Sequence, residues 1–556
     1  MKIFKSAIQR LKHNYMLAGI ILFGFSLRFY GVYFDYPSVN FIWDEIYNIS
    51  HLLEIMTYKT IFLQYFPSPY PFFLTFLYIP AVLLKIIYIG AVNHLTSLNE
   101  IKNHILINGV GQIHIIARWY SVFFGSAAIY LIYKIFGYVF KNKASLYYAT
   151  FAYSISLIPV FLSHWGKVHS AMVFFLALSL YSALKFEENK KLKFFYGSVA
   201  SAAGALSIHY IGISAFIFPL YAIFANRRLF NSRILVKAGT IYAAISLLFY
   251  SLNYGGFIYM LYDQMRYYGS TNYSSLMPVG RYERFYYVFR DYFNVDPVFT
   301  VMFIVMIALS FKFLIKNRYA RYILAGWLFN YLLLITIMAA PHMPRWLLIS
   351  ATLSVPLSAG LFAEFLINKK LNKLAIGVLM AIIILPSLYV TANWLKLLNH
   401  NTYMEAKDWL EQNIKNAEIV YSFDKLMYVS PSYDSALWDK EMNHVESKKI
   451  NYILSQKEFF ERSGLNLMYD RKSNRYKELA GPNTKYILVG SEAKTDVPNV
   501  EKFHKIELVK AFKPSEDKEI EKNGLDTDYL NSPDNWKGIL KLEKSGPFIY
   551  IYKVSI

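Results

Sequence analysis

Cysteine is absent from this 556-residue chain, which excludes disulfides, thiolate catalysis and zinc held by cysteine. Charge is scarce too. Only 17% of residues are charged, against about a quarter in soluble domains, and the acidic sign is the scarcer, 37 residues against 58 basic. Apolar residues fill the space, 55% hydrophobic and 18% aromatic, so one large soluble domain is excluded. The net charge of +21 is no nucleic-acid footprint. The basic residues sit in short clusters between apolar runs, where they orient helices and meet anionic headgroups.

The first apolar span, Tyr15 to Phe34, follows Lys2, Lys5, Arg10, Lys12 and His13, and no small-residue cleavage site comes after it. That pattern predicts an uncleaved first helix starting in the cytoplasm. Basic clusters recur at Lys141–Lys143, Lys190–Lys193, Arg227–Arg233, Lys312–Arg321 and Lys369–Lys373, with apolar spans between them from Ile113 to Thr391. Residues 194–225 read as two short helices meeting at an outward His209-Tyr210 apex. Together the spans predict about eleven crossings and place everything after Asn393 outside. The stretch 71–91 is long enough to cross at ~1.5 Å per residue. A single crossing there inverts every later loop, so an outer-leaflet, juxtamembrane or re-entrant helix is expected, with a two-crossing hairpin as the alternative.

Beyond Asn393 the pattern turns soluble. Residues 403–414 carry apolar side chains at helical spacing, and strand-like runs at Glu418–Ser422, Lys485–Val489 and Phe548–Val554 alternate with Gly, Pro, Asn and Asp. The fold class predicted is an α-helical polytopic membrane protein with a C-terminal soluble α/β domain. The membrane part spans 1–393, its first outer loop 35–112, and an extracytoplasmic α/β domain 394–556.

Ionisable residues gather at the outward ends of the spans: Asp44 and Glu45, Arg118, His164, Lys167 and His169, His209, and His342 with Arg345. Each alone has a plain explanation. An arginine at a helix end snorkels to headgroups, a lone histidine is a hydrogen-bonded interfacial residue, and carboxylates favour helix N-termini. Together, at a depth where each unpaired charge costs several kcal/mol, they point to a hydrated cavity.

In order and spacing the motifs resemble the protein O-mannosyltransferases, the lipid A aminoarabinose transferases and their prokaryotic relatives, polyprenyl-phosphate-sugar-dependent glycosyltransferases of the GT-C fold. The residues carrying the resemblance are Asp44-Glu45 in the first outer loop, Pro69-Tyr70-Pro71-Phe72-Phe73-Leu74, and Arg118-Trp119-Tyr120-Ser121 through Gly125 to Phe136-Gly137. Ala406–Ile414 and Gly546–Lys553 are similar to the extracytoplasmic domain of bacterial and archaeal members. Two places depart from the pattern. Relatives carry Arg and, five residues later, Asp where this chain has His164 and His169, and Lys-Tyr where it has His209-Tyr210.

The resemblance implies an integral protein of the prokaryotic cytoplasmic membrane that moves a sugar to a protein, lipid or glycan hydroxyl on the extracytoplasmic face, with inversion. Such chemistry needs a base for the acceptor proton and cations for the leaving phosphate. Asp44 is the expected base, Glu45 its supporting neighbour, and Arg118, Arg345, Lys167 and His342 the expected phosphate contacts. His169 and His209 suit a phosphate as cations or a divalent metal as neutral ligands. Other classes make distinct demands. A lipid-linked oligosaccharide ligase or polymerase needs a longer donor glycan, a transporter needs pseudo-symmetry and broken helices at the midplane, and a receptor or assembly protein does not need the acidic pair.

Overall fold

The computed structural model describes residues 14–34, 36, 49, 52, 70–108, 111–253, 283–337, 344–414, 419–422, 433–441, 448–460, 466–469, 484–491, 505–517 and 535–555. Asp44, Glu45 and His342 lie outside the described residues. The helices follow in the order α1 (Tyr15–Phe29), α2 (Phe73–Val92), α3 (Leu98–Asn108), α4 (Gly111–Phe136), α5 (Lys143–Ile155), α6 (Leu157–His164), α7 (His169–Asn189) and α8 (Leu192–Leu206). A 3-10 turn (Tyr210–Phe216) then leads into α9 (Ile217–Ala225), α10 (Ser232–Ser251), α11 (Glu283–Val295), α12 (Pro297–Lys316) and α13 (Arg318–Ile337). A second 3-10 turn (Pro344–Leu347) opens α14 (Leu348–Asn368), and α15 (Lys373–Asn399) closes the helical part.

Among the described residues, seven helices are long and apolar enough to cross a membrane, namely α2, α4, α7, α10, α12, α14 and α15, and the bent pair α5–α6 makes an eighth. This is an integral membrane protein. The sequence count of about eleven leaves out α2 and adds α1, α8, the 210–225 stretch and α13. The span expected over 145–162 is broken between Ile155 and Leu157 with a bend of 46°. Pro159 is the reason, since its ring clashes with the carbonyl four residues back, at Ile155, where α5 stops.

Short turns make successive helices antiparallel, so the bundle has two unlike ends. One carries the basic turns at 141–143, 190–193 and 227–229; the other carries Arg118, Lys167, His209 and Arg345 and is here the site end. The N-terminus of α2 sits at that end. Phe73 packs on Phe249 at 4.6 Å and Phe175 at 5.3 Å, and the Tyr120 hydroxyl donates to the Leu77 carbonyl at 2.9 Å. The helix α3 folds back on α2 so closely that a Cβ on Gly90 would lie 3.0 Å from Ile101. Its N-terminus is a capping box, in which Glu100 N–H donates to Ser97 Oγ and Glu100 Oε2 accepts from Ser97 N–H, with Thr96 N–H donating to the same oxygen. The Thr96 bond holds the Glu100 carboxyl below its ordinary range.

The last helix α15 runs to Asn399, six residues beyond the boundary expected at Asn393. The C-terminal part then opens on α16 (Thr402–Asn413) and builds a five-stranded sheet from β1 (Ile419–Ser422), β2 (Asn466–Tyr469), β3 (Thr484–Ser491), β4 (Lys505–Phe512) and β5 (Phe548–Ser555), in the order β2-β1-β3-β5-β4. β2, β1 and β3 are parallel; β5 is antiparallel to both β3 and β4. Alternation along β5 decides the faces. Ile549 and Ile551 join Leu488 and Phe512 against Tyr403, Ala406 and Leu410 of α16, while Phe548, Tyr550 and Tyr552 form the other face. Among the described residues, two apolar contacts help tie this part to the bundle. Helix α19 (Trp536–Lys541) places Ile539 in the main hydrophobic core. Leu106 of α3 packs with Ala436 of α17 (Tyr433–Glu441) and Ile450 and Ile453 of α18 (Lys448–Ser455).

Candidate functional site

Three chain junctions at the site end deliver the polar side chains. The first is the turn 165–168 between α6 and α7, where the bend forced by Pro159 leaves room for Trp165, Lys167 and His169, each at most 2% exposed. Lys167 Nζ lies 4.3 Å from the Trp165 ring centroid, a cation–π contact in a dry setting. His169 opens α7 with both ring nitrogens buried and without a hydrogen-bond partner among the described residues. A buried imidazole so placed is costly without a ligand.

The second junction joins α8 to its 3-10 turn. Here the chain doubles back so tightly that a Cβ on Gly212 would lie 2.1 Å from the Ala205 carbonyl oxygen, a backbone atom that cannot step aside. Only glycine fits. The fold-back buries His209, whose ring stacks on Tyr210 at 4.3 Å and lies 5.6 Å from both His169 and Tyr70. Its Nδ1 accepts the Ile211 N–H at 3.2 Å, so the neutral ring carries its proton on Nε2. Burial, and then the Arg345 charge, hold His209 far below the usual imidazole range, at about 3. It is an uncharged donor at neutral pH.

The third junction is the turn Pro344–Leu347. It brings Arg345 up to His209 and, with Lys167, to His169. Of the residues expected from sequence, the structure therefore gathers Lys167, His169, His209 and Arg345. Asp44, Glu45 and His342 fall outside the described residues. Arg118 is placed differently. It is fully buried, donates through Nη1 to the carbonyls of Val32 at 3.1 Å and Phe34 at 2.6 Å, and sits 3.8 Å from the Phe34 ring centroid. His164 sits near it in kind, with Nε2 2.7 Å from the Tyr30 carbonyl and Nδ1 2.9 Å from that of Val160.

Sequence reading missed Trp165, the wall under Lys167, although a tryptophan set between two polar positions is a usable signal. It also passed over Arg28, a fully buried arginine in α1 that donates to the Gly24 and Ser154 carbonyls at 2.9 and 2.8 Å. A lone basic residue inside an apolar span was its signal.

The cluster suits an anion. Two permanent cations and two imidazoles converge with aromatic walls, at the N-terminus of α7, whose dipole adds positive potential. Asp44 and His342, donors that a divalent site built on His169 and His209 would draw on, lie outside the described residues, and Lys167 and Arg345 neighbour the His169 ring.

Residues 105–252, which hold Arg118, Lys167, His169 and His209, match the family model described as dolichyl-phosphate-mannose-protein mannosyltransferase. The family expected from the sequence is thus the one matched over this segment. No curated protein matches the chain. Among solved structures, the archaeal oligosaccharyltransferase AglB from Archaeoglobus fulgidus, in complex with an inhibitory peptide and a dolichol-phosphate, is similar at TM-score 0.47 and 13% identity, over 91% of this chain and 74% of that one. ArnT from Cupriavidus metallidurans, bound to undecaprenyl phosphate, is similar at TM-score 0.44 and 12% identity, over 86% and 93% of the two chains.

Proposed function

We propose that the protein is a glycosyltransferase that moves one sugar from a polyprenyl-phosphate-linked donor to a hydroxyl of a protein, lipid or glycan acceptor, at the extracytoplasmic face of a prokaryotic cytoplasmic membrane. One observation carries the reading. Buried Lys167, His169 and His209 converge with half-buried Arg345 in a cluster suited to an anion, and three of the four lie in the segment matched by the mannosyltransferase family model.

The residues divide the work as follows. Lys167 and Arg345 meet the donor phosphate as permanent charges, Arg345 with the two-pronged geometry that suits phosphate oxygens. His209 donates from Nε2 and His169 from a ring nitrogen, both without adding charge. In the reaction the acceptor oxygen bonds to the anomeric carbon as the bond from that carbon to the phosphate oxygen breaks. The electron pair leaves with polyprenyl phosphate, whose second negative charge develops against the cluster. The acceptor proton passes to Asp44, with Glu45 as its neighbour. One displacement inverts the anomeric centre. The membrane part ends near residue 393 and the α/β part is extracytoplasmic.

The test is direct. Purified protein in lipid vesicles, given labelled polyprenyl-phosphate sugars such as the mannose donor, is expected to release polyprenyl phosphate and label an acceptor with a single sugar. Transfer only from a diphosphate-linked oligosaccharide would replace this reading with a ligase. Sidedness has its own check in the cysteine-free background, with single cysteines at Lys510 and Lys141 and an impermeant maleimide on intact cells. Labelling at Lys141 and not at Lys510 would reverse the orientation.

A further inference from the structure

We propose that Arg118, with His164, is a positioning residue that fixes the start of the acidic loop, and not a contact to the donor phosphate. The inference rests on the glycosyltransferase reading for its functional meaning and on main-chain geometry for its substance.

After α1 the chain runs as a series of tight turns, with Val32 N–H on the Phe29 carbonyl, Phe34 N–H on Gly31 and Tyr36 N–H on Tyr33. Gly31, at φ +78°, supplies the left-handed residue that starts the run. The turns leave alternate carbonyls pointing into the bundle, and each meets a donor from another element. Tyr30 O meets His164 Nε2 from α6, and Val32 O and Phe34 O meet Arg118 from α4. Bonds from a charged donor are the strong kind. Phe34 also covers one face of the guanidinium, while Tyr33 packs edge-on against Trp119 at 6.2 Å. Arg118 is therefore enclosed by the segment it holds.

The far end of the same loop is pinned as well. The Tyr70 carbonyl accepts from Asn253 Nδ2 at 2.6 Å, Phe72 N–H donates to the Phe249 carbonyl at 3.1 Å, and the Tyr70 ring lies against His209. Between these anchors Ile49 and Leu52 are buried in the main core, five and eight residues after Asp44. The described segments on either side of Asp44 in the sequence are thus each held by the bundle. Releasing the Arg118 anchor loosens residues 32–34, which precede Asp44 in the sequence, and leaves Lys167 and Arg345 in place.

The experiment compares wild type with Arg118→Lys in the full chain, reading affinity for polyprenyl phosphate, sugar turnover, and the distance distribution between spin labels at Ser38→Cys and Lys141→Cys. Arg118→Lys keeps the charge and loses the fork. Affinity is expected to stay within about twofold, turnover to fall about tenfold or more as the base loses its alignment, and the distribution to broaden. Weakened affinity with an unchanged distribution would make Arg118 a phosphate contact and overturn the proposal, as would no change in any of the three. If Arg118→Lys does not fold, Phe34→Leu serves. It removes the covering ring and keeps the arginine, so a phosphate contact predicts unchanged turnover and the positioning role predicts a loss. If wild type neither binds polyprenyl phosphate nor transfers sugar, the glycosyltransferase reading fails, while the label distances still decide whether Arg118 holds the segment.

Discussion

The imidazole rings of His169 and His209 lie 5.6 Å apart and 37° from parallel, although they start different segments of the chain on either side of α7 and α8. Arg345 faces both rings. Two permanent cations beside two imidazoles give this end of the bundle a positive potential that attracts an anion.

Removing one permanent cation is therefore expected to weaken lipid-phosphate binding. Arg345→Ala should reduce affinity for polyprenyl phosphate by tenfold or more, corresponding to about 1.4 kcal/mol or more, with Lys167→Ala acting in the same direction. Titration of each purified variant with polyprenyl phosphate in detergent checks this. Unchanged affinity in both variants would remove the phosphate from this cluster.

For Asp44 the expected signature is the reverse. Asp44→Asn should lower turnover by about a hundredfold, within the range for a lost general base, and leave polyprenyl-phosphate affinity near that of wild type. Glu45→Gln should cost less. Near-normal turnover of folded Asp44→Asn would take the base away from this position.

A structural prediction concerns Gly212. The added methyl of Gly212→Ala meets the Ala205 backbone, so the turn must open and carry His209 with it. Overpacking of this kind costs about 1–3 kcal/mol. Expected results are a lowered thermal midpoint and, in the protein that folds, weaker polyprenyl-phosphate binding. A wild-type midpoint would show that the turn has slack.

Asp296 gives a pH dependence. It caps α12 through Oδ1, which accepts from Phe299 N–H at 3.3 Å and Ser387 Oγ at 2.7 Å, while Oδ2 has no partner among the described residues. Burial raises its pKa from 3.8 to about 6. A raised folded-state pKa contributes stability below the unfolded value near 3.8, and that contribution is lost as pH rises through 6, by roughly 3 kcal/mol. Asp296→Asn keeps the accepting oxygen and carries no charge. Its thermal midpoint should exceed that of wild type at pH 8 and converge with it at pH 4; equal midpoints at both would place the charge in water.

The helical part was legible because apolar runs punctuated by basic turns leave little freedom, and the C-terminal strands because Gly, Pro and Asn bracket them. The break at Ile155 was legible in principle, since Pro159 announces it. The site divided along a physical line. Lys167 and His169 share a turn and could be paired from sequence, whereas joining them to His209 and Arg345 depends on how four helices pack. Arg118 shows the other limit. A buried arginine beside an acidic loop reads the same whether it faces a phosphate or a row of carbonyls, because no residue pattern records where backbone oxygens point.

The central place of β5 has a consequence for biosynthesis. It is the last strand in the sequence, yet it sits between β3 and β4, and β4 pairs with no other strand in the described sheet. Just before it, Ser545 N–H donates to the His400 carbonyl and Thr402 N–H to that of Ser545, stitching the strand to the junction of α15 and α16. A ribosome that has reached Pro547 has made β2, β1 and β3, which pair with one another, and a β4 that has no strand to join in the described sheet. Until the final strand emerges, β4 presents two bare edges, and a nascent chain stalled there depends on chaperones to keep them from pairing elsewhere.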